Sequence, residues 1–212
     1  MEDLIDNLIT EGWLKTPRII AAFRKIKRVD FLPEELKSLA QANEALPIGS
    51  GQTISQPLVV AFMMELLSPE PGEKILDIGA GSGWTTALLA QIVSQETKLK
   101  PKGKVIALEI IPELVEFGRR NVARYNFIEK GIVEFILADG TKGYSKEAPF
   151  DKILCSAAVQ GKLPSAWRDQ LKVGGKIVTP IGHSIWLFEK KSKDYFDSKE
   201  YPGFVFVPLR TS

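Results

Sequence analysis

From Lys74 onward, short apolar runs alternate with amphipathic stretches, and this alternation restricts the fold more than any other feature. Predicted strands lie at 74–79, 104–109, 132–139, 151–157 and 175–181, and predicted helices lie at 83–93, 112–125 and 164–171. Runs that are apolar throughout are typical of strands buried on both faces. The pattern therefore predicts an α/β fold with a mostly parallel sheet covered by helices.

The carboxyl-terminal part has a different pattern. Residues 184–191 and 204–209 both resemble strands, and little helical sequence separates them. They predict an antiparallel pair at the edge of the sheet.

The amino-terminal part also departs from the alternation. Residues 1–45 have helical spacing of apolar side chains, and a polar, glycine-bearing loop follows at 46–56. Pro57 suits the first turn of a helix. We therefore expect a helical cap with its loop at 1–57 and an α/β core at 58–212, joined in one compact unit.

Composition and charge exclude several kinds of site. The net charge is +2, without the concentrated basic stripe that nucleic-acid binding requires. Basic residues crowd 18–28, where we expect a solvated helix face, and 98–104, where we expect an exposed connection. Cys155 and His183 are the single cysteine and histidine, so the sequence predicts no disulfide within the chain and no cysteine–histidine metal site.

The sequence gives no sign of a membrane segment. The apolar run 58–67 contains Glu65 and is far too short to cross a bilayer. The first residues are acidic and mixed, unlike a secretory signal. We therefore expect a cytoplasmic protein with no membrane partner.

A glycine-rich turn follows the first predicted strand of the core. Gly79, Gly81 and Gly83 have the spacing G-x-G-x-G, which allows a tight turn and lets a ligand lie against the backbone. A dinucleotide fingerprint would require glycine or alanine where Trp84 stands, and no Gly-Lys-Ser/Thr follows. Asp77 beside the loop suits a ligand with an ammonium or sulfonium group better than a pyrophosphate.

Two further acidic residues follow the next two strands. Glu109 is placed to accept hydrogen bonds from the two hydroxyls of a ribose, and Asp139, followed by Gly140, can reach an adenine amino group. Because the carboxyl ends of parallel strands meet at one edge, these residues and Asp77 should share a crevice. This ordered set favours S-adenosylmethionine over NAD.

The loop at 46–57 has the sequence LPIGSGQTISQP. It resembles the signature of the protein-L-isoaspartate (D-aspartate) O-methyltransferase family. Looser matches follow at 138–140, 148–151, 156–158 and 206–209. The resemblance implies a class I, Rossmann-like methyltransferase. It also implies an enzyme that moves a methyl group from S-adenosylmethionine to the α-carboxylate of L-isoaspartyl residues, leaving S-adenosylhomocysteine.

The resemblance also implies roles for particular residues. Ser55 matches the active-site serine. The implied cofactor residues are Gln52, Thr53, Asp77, Gly79, Gly81, Gly83, Glu109, Asp139 and Gly140. The implied substrate residues are Ile54, Ser55, Ala157, Val207 and Leu209. The implied partners are damaged proteins and peptides that contain isoaspartate, and we expect a monomer that binds no nucleic acid.

The chemistry of the residues agrees with this reaction. A carboxyl group is already ionised at pH 7, so methyl transfer to it requires orientation more than a base. Ser55 can orient the carboxylate through its hydroxyl, although it can also cap the helix that begins near Pro57.

Three alternatives stay open. The first is another class I methyltransferase, acting on a small molecule or on RNA. The second is a non-catalytic relative that binds the cofactor and recognises proteins through 41–44 and 159–163, where the sequence departs from the family pattern. The third, a nicotinamide dehydrogenase, is disfavoured by Trp84 and Asp77.

Overall fold

A computed structural model describes residues 3–95 and 102–212. Most of the predicted connection 98–104 lies outside these residues. The helices are α1 (Leu4–Thr10), α2 (Pro17–Lys25), α3 (Pro57–Leu67), α4 (Trp84–Val93), α5 (Pro112–Ala123) and α6 (Ser165–Gln170). The strands are β1 (Leu46–Gly49), β2 (Gln52–Ile54), β3 (Lys74–Ile78), β4 (Lys104–Glu109), β5 (Val133–Leu137), β6 (Phe150–Cys155), β7 (Leu171–Ile181), β8 (Ser184–Lys190) and β9 (Phe196–Pro202).

Seven of the strands form one sheet, in the order β5-β4-β3-β6-β7-β8-β9. The first five in this order are parallel, whereas β8 and β9 are antiparallel to their neighbours. Ile78 lies opposite both Leu108 and Cys155, so β3, β4 and β6 end at the same level. The predicted parallel sheet with an antiparallel edge is confirmed, and its central strands place their following loops side by side.

Both faces of the sheet are buried, as the apolar strand sequences predict. Helix α4 is buried along nearly its whole length, and every residue of β4 after Lys104 is buried. On the opposite face, Leu76, Ile106 and Ile153 pack in a second cluster with Trp167 of α6. None of the helices in the described part of the chain is long and apolar enough to cross a membrane.

Polar contacts attach the amino-terminal helices to the core. The Glu65 carboxylate of α3 accepts hydrogen bonds from the backbone N–H groups of Lys15 and Thr16, at 2.9 Å each, and from the Thr16 hydroxyl. Arg18 donates to the carbonyl of Pro69 at 2.7 Å and to the Ser68 hydroxyl at 3.0 Å. Because Thr16 precedes α2, Glu65 caps that helix from a distant part of the chain.

The predicted strand at 204–209 is wrong. The antiparallel partner of β8 is β9, whose sequence FDSKEYP is polar because most of its side chains are exposed on the edge of the sheet. Residues 204–209 instead run past the end of the sheet, where Pro208 forms a single bridge with Ala158. A second difference lies at 46–56, where the expected loop contains the short hairpin β1–β2.

The basic run at 18–28 is also not a uniformly solvated helix face. Arg28 lies beyond the end of α2 and is only 6% exposed. Its guanidinium group finds backbone carbonyl groups inside the protein, which a pattern of charges along the sequence does not reveal.

Candidate active site

A cleft of about 730 Å³, including the space at its open mouth, lies at the carboxyl edge of the parallel strands. Its walls are the glycine loop after β3, the ends of β4 and β6, the β1–β2 hairpin and the extended segment 207–210. The predicted site residues on these walls are Gln52, Thr53, Ile54, Ser55, Gly79, Gly81, Glu109, Gly140, Ala157, Val207 and Leu209. Three predicted residues do not line the cleft and lie behind its walls: Asp77, Gly83 and Asp139.

Gly83 lies behind the wall, where α4 and α5 approach each other closely. It has a φ of +84° at the start of α4, a conformation that L side chains rarely adopt. A Cβ atom there would come within 2.7 Å of Val122 and 3.0 Å of the Gly118 carbonyl, both on α5. The third glycine of the loop therefore serves helix packing, whereas Gly79 and Gly81 face the cleft.

Glu109 connects the glycine loop to the next loop. Its carboxylate is nearly buried and accepts hydrogen bonds from the N–H groups of Gly81 (3.0 Å), Ile110 (2.7 Å) and Ile111 (3.0 Å). Each carboxylate oxygen can accept more than one hydrogen bond, so acceptor capacity is left for a ligand. The side chain is fixed in place and borders the cleft.

Asp77 lies fully buried beneath the glycine loop. Its Oδ2 atom accepts hydrogen bonds from the hydroxyls of Thr86 (2.6 Å) and Thr85 (3.3 Å), whereas Oδ1 has no partner among the described residues. Burial raises the pKa of Asp77 to about 7, and the two threonine hydroxyls oppose the rise. An unpartnered buried acceptor is costly unless a donor is supplied, so it fits a positively charged ligand group nearby.

The buried position of Asp77 predicts a particular dependence of stability on pH. Its ordinary pKa is 3.8 and its pKa in the folded chain is about 7, so folding takes up a proton within this window. The contribution of Asp77 to the free energy of unfolding is thus fully present below its ordinary pKa of 3.8. It is lost as the pH rises through the folded-state pKa of about 7. We expect Asp77→Asn, which cannot ionise, to stabilise the protein relative to wild type more at pH 8 than at pH 5.

Urea denaturation of both proteins at the two pH values measures this difference. Asp139→Asn is the matched control, because burial raises the pKa of Asp139 but the hydrogen bonds to its carboxylate outweigh burial and hold that pKa below its ordinary value. Asp139 is then ionised at pH 5 and pH 8 in both the folded and the unfolded chain. An Asp77→Asn effect of equal size at both pH values would contradict the prediction.

The carboxylate of Asp139 is engaged away from the cleft. Oδ1 accepts hydrogen bonds from the N–H (2.9 Å) and the hydroxyl (2.6 Å) of Thr141, and Oδ2 accepts from the N–H (3.3 Å) and the hydroxyl (3.0 Å) of Ser212. The flanking residues Ala138 and Gly140 line the cleft. A contact between Asp139 and an adenine stays a prediction, and it would have to share Oδ2 with Ser212.

Ser55 lies between the hairpin and α3, half-buried on the wall of the cleft. The residue at the amino-terminal cap of α3 is Gln56, and it makes no side-chain capping bond. Asn43 supplies that bond instead, because its Oδ1 atom accepts from the N–H of Leu58 at 3.0 Å. Within the described residues, no hydrogen bond engages the Ser55 hydroxyl, so the alternative role of Ser55 as a helix cap finds no support.

The segment 207–210 forms the part of the cleft wall that lies next to the loop after β6. Ala158 donates its N–H to the carbonyl of Val207, and Leu209 donates to the carbonyl of Ala158, both at 2.8 Å. Arg210 donates to the carbonyl of Ser50 in the hairpin at 3.1 Å. Val207 and Leu209 are thereby placed next to Ala157, as the predicted substrate residues require.

Sequence reasoning assigned no role to several residues on the wall of the cleft, and two of them with polar side chains are Thr85 and Arg210. Thr85 lines the cleft and also bonds to Asp77, and two consecutive threonines in the first turn after a glycine loop are a signal that could have indicated it. Arg210 lines the cleft through an extended segment, and no spacing rule in the sequence indicates that placement.

The fold and the cleft together define a class of protein. Three features are those of a class I S-adenosylmethionine-dependent methyltransferase. They are the seven-stranded sheet with its antiparallel edge, the glycine loop after β3 and the buried Glu109 at the end of β4. A family model for protein-L-isoaspartate (D-aspartate) O-methyltransferase matches residues 1–212. The chain belongs to this family.

Individual relatives agree with this assignment. The protein-L-isoaspartate O-methyltransferase of Methanopyrus kandleri is 42% identical over 212 residues, covering 98% of this chain and 90% of the relative. The protein-L-isoaspartate O-methyltransferase of Staphylothermus marinus is 42% identical over 210 residues, covering 97% of this chain and 92% of the relative. These lengths show that the similarity includes both the hairpin and the core.

Solved structures show the same architecture. A Plasmodium falciparum protein described as a protein-L-isoaspartate O-methyltransferase, crystallised with S-adenosyl-L-homocysteine, superposes with a TM-score of 0.85. It is 24% identical, and the match covers 99% of this chain and 97% of that one. Another structure of a protein-L-isoaspartate O-methyltransferase gives a TM-score of 0.84 at 28% identity, over 97% of this chain and 64% of that one.

Proposed function

We propose that the protein transfers the methyl group of S-adenosylmethionine to the α-carboxylate of L-isoaspartyl residues in damaged proteins and peptides. One observation carries this proposal. The hydroxyl of Ser55, which caps no helix, borders the same cleft as the glycine loop and Glu109. A group that can orient an acceptor thus lies beside a site suited to the cofactor.

The residues present fit S-adenosylmethionine. Glu109 would accept hydrogen bonds from the ribose hydroxyls, and Gly79 and Gly81 leave room for the ligand against the backbone. The Oδ1 atom of Asp77, which has no partner within the described residues, can accept a hydrogen bond from a cationic amino group behind the loop, and that positive charge would favour the ionised carboxylate. When bound, the cofactor supplies an electrophilic methyl group carried on a positively charged sulfur.

The acceptor side fits a carboxylate. Among the described residues that line the cleft, Arg210 carries the single positive charge. Together with the hydroxyl of Ser55, it offers hydrogen-bond donors to an anionic group and no base, which an ionised carboxylate does not need. Rate enhancement then comes from holding the carboxylate oxygen in line with the bond that breaks.

A methyl-transfer assay with three acceptors tests the proposal. We expect label from methyl-labelled S-adenosylmethionine to enter an isoaspartyl peptide as a base-labile ester, and not to enter transfer RNA or a mixture of small catechols and amines. Label in either of the latter alone would favour another methyltransferase. Cofactor binding with no transfer to any acceptor would favour the non-catalytic relative.

Glu109 provides a separate test of the cofactor site. Glu109→Ala should remove charge-assisted hydrogen bonds worth about 1.5–3 kcal/mol, which corresponds to about 10- to 150-fold weaker binding of S-adenosylmethionine. Calorimetric titration measures the affinity. Glu113→Ala, which removes an exposed carboxylate from the first turn of α5, is the control and should leave the affinity unchanged. Equal affinities for wild type and Glu109→Ala would reject the assignment.

We further propose a cytoplasmic monomer in which 1–57 and 58–212 form one unit, with no nucleic-acid or membrane partner. The bonds from Glu65 to Thr16 and from Arg18 to Ser68 support the single unit.

A further inference from the structure

Arg28 lies in the protein interior behind Ser55, with 6% of its surface exposed. One terminal nitrogen donates to the carbonyls of Ala40 (3.3 Å) and Ala42 (2.9 Å). The other donates to the carbonyls of Glu44 (2.6 Å) and Ser55 (3.4 Å). One side chain thus holds three carbonyl groups of an irregular segment and the carbonyl of the proposed catalytic residue.

This guanidinium group has no carboxylate partner among the described residues. Burial lowers the pKa of Arg28 to about 10, and within the described ranges the Nε atom has no hydrogen-bond partner. A buried charge of this kind is expensive, and an apolar side chain would fill the same space more favourably. The charge is best explained by the four carbonyl groups that it orders, because no helix or strand orders 40–44.

Arg28 also contacts the cofactor side of the cleft. Its Cζ atom lies 5.5 Å from the centre of the Trp84 ring, a cation–π distance. Trp84 is the first residue of α4, directly after the glycine loop, and it lines the cleft. The guanidinium group therefore lies between the loop that carries Ser55 and the helix that begins at the glycine loop.

The segment that Arg28 holds makes a second connection to the same region. Asn43 accepts from the N–H of Leu58 at 3.0 Å through its side chain, and its carbonyl accepts from the Gln56 side chain at 2.9 Å. Fixing 40–44 therefore fixes the start of α3 immediately after Ser55.

We propose that Arg28 is a positioning residue for methyl transfer. Its guanidinium group sets the place of Ser55 relative to the glycine loop, directly through the Ser55 carbonyl and indirectly through Asn43. This inference rests on the proposed function. It predicts that loss of the planar guanidinium group displaces the acceptor carboxylate, and displacement of about 1 Å can lower a rate on the order of a hundredfold.

Arg28→Lys is the informative variant. A lysine keeps the charge, but its single ammonium group has three donors and cannot span four carbonyl groups or lie flat on Trp84. We expect kcat for an isoaspartyl peptide to fall about ten- to hundredfold. The Kd for S-adenosylmethionine should change by less than about threefold, because no cofactor contact is removed.

Arg18→Lys is the matched control. Arg18 also ties the amino-terminal helices to the core through a carbonyl and a hydroxyl, but at Pro69 and Ser68, away from the cleft. We expect it to lower the melting temperature and to leave kcat unchanged. If Arg28→Lys does not fold, Asn43→Ala removes the side-chain bond of the indirect connection and keeps the bond of Gln56 to the Asn43 carbonyl. It should lower kcat several-fold with no loss of cofactor binding.

The outcomes are separable. A wild-type protein that fails to methylate the isoaspartyl peptide overturns the proposed function and the role of Arg28 with it. An active wild type whose Arg28→Lys variant keeps its kcat and loses only thermal stability overturns the positioning role alone. The positioning role is likewise overturned if Asn43→Ala, used in place of Arg28→Lys, keeps the wild-type kcat.

Discussion

Replacing Ser55 with alanine is expected to lower kcat/KM for an isoaspartyl peptide about a hundredfold and to leave the Kd for S-adenosylmethionine within about twofold. The reason is geometric, because the acceptor carboxylate loses the hydroxyl that orients it and moves out of line with the methyl group. Ser55→Thr keeps a hydroxyl, so its kcat/KM should fall less than that of Ser55→Ala. Steady-state kinetics and calorimetric titration of the three proteins measure both quantities.

Ser50→Ala is the control for this experiment. Ser50 lies in the turn of the same hairpin, is exposed and contacts Arg210 only through its carbonyl, so the substitution removes a nearby hydroxyl without touching the cleft. Its kinetics should match those of wild type. Full activity of Ser55→Ala, with a lowered melting temperature as its sole effect, would show that Ser55 stabilises the loop and orients nothing.

The second prediction with a large effect is that the enzyme prefers an isoaspartyl peptide to the same peptide with an ordinary aspartyl linkage. An isoaspartyl linkage runs the main chain through the side chain, which lengthens the backbone by one methylene and brings the carboxylate closer to it. Residues of the hairpin, Ala157 and 207–209 line the cleft, and we expect them to hold an extended peptide on either side of the reactive position. The carboxylate of an ordinary aspartate then misses the reactive position by about a bond length, which corresponds to a preference on the order of a hundredfold or more.

Twin peptides that differ only in this linkage measure the preference. A chain that ends at residue 204 should lose it, because the bonds of Val207 and Leu209 to Ala158 and the bond of Arg210 to Ser50 are removed together. A chain that ends at residue 210 is the control. It also loses the bonds of Ser212 to Asp139, but it keeps the bonds that 207–210 make to Ala158 and Ser50. Equal methylation of the twin peptides by the intact protein would reject the repair function and leave a generic methyltransferase.

The parallel core was predictable because its physical causes are local. Strands buried on both faces are mostly apolar, so β3, β4 and β6 are visible as runs. The turn between a strand and a helix places glycines 79, 81 and 83 at positive φ. Glu109 could be placed for the same reason, since it ends β4 beside the glycine loop. Its bonds to three backbone N–H groups could not be predicted, because they depend on how two loops meet.

The errors concern residues whose environment is set by distant parts of the chain. The apolar sequence at 204–209 resembles a strand, yet the polar β9 takes the place beside β8 because an edge strand needs little apolar surface. Arg28 stands in a basic run, yet it is buried because carbonyl groups at 40–44 and 55 converge on it. In both cases local composition gives the wrong environment, and tertiary contacts determine the right one.

The two halves of the cleft come from separate stretches of the chain. The glycine loop, Glu109 and Gly140 belong to the parallel core, whereas Ser55, Val207 and Arg210 belong to segments that lie against it from before and after the core. None of these outer segments supplies a strand of the seven-stranded sheet or a residue of the glycine loop. Acceptor choice is thereby more open to evolutionary change than the methyl donor. A library confined to 46–56 and 204–210, with the predicted cofactor residues Gln52 and Thr53 kept, is the natural starting point for redirecting the enzyme to another anionic acceptor.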